Sequence, residues 1–76
     1  MTRLERTSRA QERARARKQE LYDTWERRRY TCLDHAEYVR ERDIAWAAIE
    51  AASTVLARAE SRYWHALHLA EGTYLE

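Results

Sequence analysis

Cys32-Leu33-Asp34-His35-Ala36-Glu37-Tyr38 is the stretch whose reading decides the fold. Asp34 has the side chain of a helix N-cap, able to accept from the backbone amide three residues on. Glu37 stands where a carboxylate reaches back to the Asp34 amide. Leu33 and Tyr38 occupy the flanking positions at which an apolar pair staples the incoming chain to a new helix. The heptapeptide therefore predicts a helix that begins at about residue 35, after a break in whatever precedes it.

What precedes it contains no breaker. The sequence has no proline, and its only glycine is Gly72, so nothing outside this stretch interrupts regular structure. Thr2 and Glu5 repeat the capping pattern near the start. Ser53-Thr54 has no Glu or Gln three residues later, so the second helix is read as continuous. Gly72 suits the left-handed position that closes a helix, with Tyr74 or Leu75 folding back on its last turn. The expectation is an all-α chain, a single domain over 1–76, with helices at about 3–32 and 35–71 folded as an antiparallel hairpin. The second helix would be roughly 55 Å long.

Seventy-six residues lie near the lower limit for a chain that builds its own core, and domains this small commonly add disulfides, metals or a partner. Cys32 is the sole cysteine, so no internal disulfide forms and a reducing, cytoplasmic setting is expected. No apolar run reaches the roughly 18–20 residues that span a bilayer, and the Arg-rich start lacks the apolar core of a signal peptide. A second chain is the remaining stabilising device.

The formal net charge of +1 conceals an asymmetry. Residues 1–31 carry ten basic side chains against five acidic ones, net +5, whereas residues 32–76 carry four against eight, net −4. Helices of opposite sign attract when folded together. At 100° per residue, Leu4, Ala14, Leu21, Tyr22, Trp25 and Cys32 form a narrow apolar seam on the first helix. On the second helix Ala45, Ala48, Ile49, Ala52, Val55, Leu56, Ala59, Tyr63, Ala66, Leu67 and Ala70 share a wide face whose alanines admit a close neighbour. A turn near residue 33 sets Leu21 opposite Trp46, Ala14 opposite Ser53 and Leu4 opposite Tyr63. The start of the first helix is then too poor in apolar residues to cover Leu56, Tyr63 and Leu67. Because burying a Leu or Tyr contributes roughly 1.5–3 kcal/mol, a second copy is expected to cover them, giving a homodimeric four-helix bundle.

Several constellations are candidate sites. Arg6, Arg9, Arg13 and Arg17 form a basic row that suits phosphate contacts, with Tyr22, Trp25 and Tyr30 near enough to stack on bases. The competing reading is a solvated face paired with the acids of the second helix and with Glu5, Glu12 and Glu20 on its own helix. Trp46 and Trp64 project at the same angle. Both are candidate interface residues; the competing reading of Trp46 is core against Leu21, and Trp64, with no partner inside the hairpin, is the stronger interface anchor. His65, His68 and Glu71 read as solvated residues near a helix C-terminus, and no metal or cofactor is expected. Cys32, Asp34 and His35 cluster at the turn without a pocket to exclude water, and no glycine-rich phosphate loop is present. No enzyme is expected.

The function expected is that of a non-enzymatic interaction protein: a stoichiometric regulator or inhibitor of a protein partner, of the kind phages and other mobile elements carry. The alternatives are nucleic-acid binding through the arginine row and a structural or assembly subunit.

Overall fold

The computed structural model describes residues 1–72 and is helical throughout, apart from the turn. Helix α1 runs Arg3–Arg28, a single 3-10 turn follows at Arg29–Thr31, and helix α2 runs His35–Glu71. The helices lie antiparallel in a slab measuring 56 × 23 × 12 Å between Cα extremes, one helix thick. Ser53 and Thr54 leave α2 unbroken because their hydroxyls donate to the Ile49 and Glu50 carbonyls. Gly72 closes α2 at φ 71°, its amide donating to the His68 and Leu69 carbonyls. The expected fold-back of Tyr74 or Leu75 lies outside the described residues.

Both predicted N-caps form. The Glu5 amide donates to Thr2 Oγ1 at 3.1 Å, and the Glu37 amide donates to Asp34 Oδ1 at 2.8 Å. Two details at the turn differ from the sequence reading. Glu37 accepts from the Leu33 amide at 3.0 Å instead of the Asp34 amide. The Leu33–Tyr38 staple is absent: Leu33 is 90 % exposed, and Tyr38 packs on Trp25 instead, ring centres 5.5 Å apart. The reason is the early end of α1. It stops at Arg28 rather than near 32, and the 3-10 turn delivers Leu33 to the outside. Helix α1 finishes with the Thr31 hydroxyl donating to the Arg28 carbonyl at 2.7 Å and the Cys32 thiol lying 3.7 Å from the same oxygen.

The core is a thin zipper. Its buried residues are Ala14, Trp25, Ile49, Ala52, Ala59 and Ala66. Along α2, Ala45, Ile49, Ala52, Leu56, Ala59, Tyr63 and Ala66 alternate spacings of four and three, the heptad pattern of a coiled coil. Helix α1 answers with Leu4, Thr7, Gln11, Ala14, Lys18, Leu21 and Trp25 at the same spacings, every one at least half-buried. Gln11 and Lys18 are polar members of this seam that the apolar projection omitted. Thr7 avoids an unpaired hydroxyl by donating to the Arg3 and Leu4 carbonyls. Alanine at alternate seam positions lets α1 approach closely. For that reason Ala59 and Ala66 are buried, and Leu56, Tyr63 and Leu67 half-buried, within one hairpin. A single α1 covers more of that stripe than its composition implied.

Candidate interaction surfaces

With one layer of helices and no interior, the hairpin has two broad faces, and each carries side chains that its own seam does not absorb. The first is aromatic. Trp46 rests edge-on against Tyr22, centres 5.8 Å apart at 88°. About five turns further along α2, Trp64 stands edge-on to Tyr63 at 5.8 Å and beside His68 at 6.0 Å. Between them Arg15 and Glu60 bridge the helices at 3.6 Å. Trp46 stays 42 % and Trp64 52 % exposed. Trp46 is therefore not the core partner of Leu21: the register holds, but Leu21 points to the opposite face, and Tyr22 takes its place. Trp64 does have neighbours in the hairpin, yet half of its surface remains available.

The second face is aliphatic near the turn and basic beyond it. Leu21 borders a shallow groove with Ala48, Ala51 and Val55. The groove continues toward the turn past Thr24 and Ile44. Ile44 is 67 % and Val55 55 % exposed. In the other direction Arg13, Arg58 and Arg62 surround a depression floored by Ala10, Ala14 and Ala59. Arg17 joins them from the adjoining groove. The anticipated row of four arginines is thus divided. Arg13 and Arg17 face this side, Arg6 is exposed one heptad before Arg13, and Arg9 lies in a separate cleft with Glu5, Glu12 and Tyr63.

The acids of α2 pair with α1 at only two places among the described residues. One is Arg15–Glu60. The other is Arg28, whose guanidinium reaches Glu37 at 3.1 Å and Glu41 at 3.4 Å. The Glu41 charge, and then the Glu37 hydrogen bond, hold the Arg28 pKa above the ordinary arginine range. Arg17 pairs along its own helix with Glu20 at 3.5 Å. Arg6, Arg9, Arg13, Arg58 and Arg62 form no ion pair among the described residues. The internally neutralised arginine face therefore holds for Arg15, Arg17 and Arg28 but not for these five. Arg58 and Arg62 escaped the sequence reading altogether. Their signal was their continuation of the four-and-three spacing of Ile44, Ala48, Ala51 and Val55.

The remaining clusters stay dispersed. Among the described residues no three His, Cys, Asp or Glu side chains converge as metal ligands, and no helix is long and apolar enough to cross a membrane. His35 stacks on Tyr38 at 6.5 Å, so its ring is engaged at the turn. No family model, curated protein or solved structure matches this chain, and its functional reading rests on its own residues.

Proposed function

We propose that this chain is a non-enzymatic interaction protein that works as a homodimer and engages a second protein as a stoichiometric regulator. The observation that carries the proposal is the pair of half-exposed tryptophans, Trp46 and Trp64, aligned on one face of a hairpin whose thin core already holds Trp25. Tryptophan offers a large contact area with few rotatable bonds and is enriched among the residues that dominate binding energy. Each is held by a tyrosine edge, so little side-chain freedom is lost on docking.

The test is capture of partners from the native host by the immobilised full chain, with and without nuclease, for wild type, Trp46→Ala and Trp64→Ala. One partner is expected irrespective of nuclease, with Trp64→Ala weakening it by at least about 2 kcal/mol at unchanged helicity. Indifference to both substitutions refutes the assignment of this face.

A second reading draws on the convergence of Arg13, Arg58 and Arg62, which form no ion pair among the described residues. In that reading the basic half of the other face holds nucleic-acid phosphates, without sequence preference and with steep salt dependence. Absence of any shift of duplex or single-stranded probes at about 50 mM salt retires it.

A further inference from the structure

The aliphatic-basic face contains a pattern that its groove alone does not reveal. Along α2 the stripe beside the seam reads Glu37, Glu41, Ile44, Ala48, then Ala51, Val55, Arg58, Arg62, half-buried at Glu37, Glu41 and Ala48 and exposed at the rest. The spacing alternates four and three throughout, the repeat that keeps one face of a helix against a neighbour. The stripe is also self-complementary about its centre, between Ile49 and Glu50. Turned end for end, Ala48 meets Ala51, Ile44 meets Val55, Glu41 meets Arg58 and Glu37 meets Arg62.

We infer that the second copy docks on this face, with its α2 antiparallel to the first along the stripe from Glu37 to Arg62. The inference rests on the homodimer reading above and replaces Leu56, Tyr63 and Leu67 as the contact, since Leu56 and Tyr63 belong to the hairpin's own seam and Leu67 is half-buried beside it. A two-fold axis perpendicular to the helices makes every contact occur twice. At the axis, Ala48 and Ala51 let the helices approach closely. On either side, Ile44 and Val55, two of the most exposed aliphatic side chains, cover one another. At the ends, Arg58 and Arg62, which have no ion pair among the described residues, reach Glu41 and Glu37 of the second copy. Both carboxylates already bind Arg28, and each has lone pairs left for a second guanidinium.

Helix α1 agrees with the same axis. Tyr22 faces Trp46, so the level of the axis on α1 falls between Arg17 and Glu20. Those two residues, already paired at 3.5 Å within the helix, meet their opposites in the second copy. The alternative two-fold arrangement, with both turns at one end, sets α2 against α1 of the second copy. It places Val55 opposite Arg13 and Arg62 opposite Arg6, an aliphatic residue against a charge and a charge against its like.

The experiment is charge exchange, read by sedimentation equilibrium with helicity checked by circular dichroism. Glu41 and Arg58 stand roughly 25 Å apart on one helix, so neither can compensate the other within a chain. Arg58→Glu and Glu41→Arg, taken singly, each set like charges together twice per dimer. Each is expected to raise the dimer dissociation constant about tenfold. The double variant restores opposite charges and is expected within about threefold of wild type. Mixing the two single variants is expected to yield heterodimers of similar strength, because both ends are then complementary. A wild-type chain that is monomeric at about 100 μM overturns the homodimer reading and this register together. A wild-type dimer that the single reversals leave intact, or that neither the double variant nor mixing rescues, overturns the register alone and returns the interface to Leu67, testable by Leu67→Glu.

Discussion

Replacing Asp34 by alanine tests the turn directly, because an identical kind of cap at Thr2 serves as its internal control. The Asp34 carboxylate accepts the Glu37 amide at 2.8 Å, and removing such a cap costs about 1 kcal/mol. The Leu33 amide retains Glu37 and Arg28 retains both its acids, so no compensating collapse of the turn is expected. For a domain of this size 1 kcal/mol lowers the melting temperature by about 4–8 °C. Thr2 makes the same bond at 3.1 Å, but at the end of the hairpin away from the turn. Without it only the first turn of α1 frays, and the loss in global stability is a few tenths of a kcal/mol. The assay is thermal and urea unfolding by circular dichroism for Asp34→Ala and Thr2→Ala at one fixed protein concentration, since dimerisation makes the midpoint concentration-dependent. Equal losses for both, or no loss at Asp34, would refute the claim that this cap fixes the chain reversal.

Trp25→Ala removes the one large buried side chain of α1 and its contact with Tyr38, and a loss of about 3–5 kcal/mol is expected in urea denaturation. Ala59→Leu inserts a larger side chain at a buried seam position; a loss of about 1–3 kcal/mol is expected, with retained helicity separating overpacking from unfolding. Arg28→Met leaves Glu37 and Glu41 without their shared cation within the chain. Because the acids hold the Arg28 pKa up, its stabilisation is complete below the ordinary arginine value and is lost only above it. The variant should therefore show a stability deficit that is flat between about pH 6 and 9 and that shrinks with added salt. If nucleic acid is bound, Arg13→Ala should weaken all probe sequences alike and reduce the salt slope by about 1 in mobility-shift titrations.

The features legible in the sequence were those decided within a few residues: the caps at Thr2 and Asp34, the left-handed Gly72, the unbroken run through Ser53. The hairpin followed from them. What was not legible depended on the rotation of each helix about its axis. A shift of one position in that rotation separates Leu21 from Tyr22, and it moved Trp46 from core to surface without altering the register. Apolar projection also passed over Gln11 and Lys18, whose long side chains lie in the seam because their place in the heptad, not their polarity, puts them there. The candidate surfaces were half legible. Trp64 stood out by size, though Tyr63 and His68 flank it; the grouping of Arg13 with Arg58 and Arg62 required the two helices to be brought side by side.

The zipper has a consequence for the order of events in time. Contacts at the turn, such as Trp25 with Tyr38, join residues close in the chain, whereas Leu4 and Tyr63 at the open end close a loop several times longer. Loop-closure entropy grows with that separation, and the strongest side chains, Trp25, Tyr38 and the Arg28 clamp, sit where closure is easiest. The hairpin should therefore nucleate at the turn and zip toward its ends, reaching the folded state quickly for its size. Opening runs the other way. Amide exchange should be slowest between about Leu21 and Ile49 and progressively faster toward Arg3 and Glu71, grading smoothly along the slab as repeats do in a one-dimensional array.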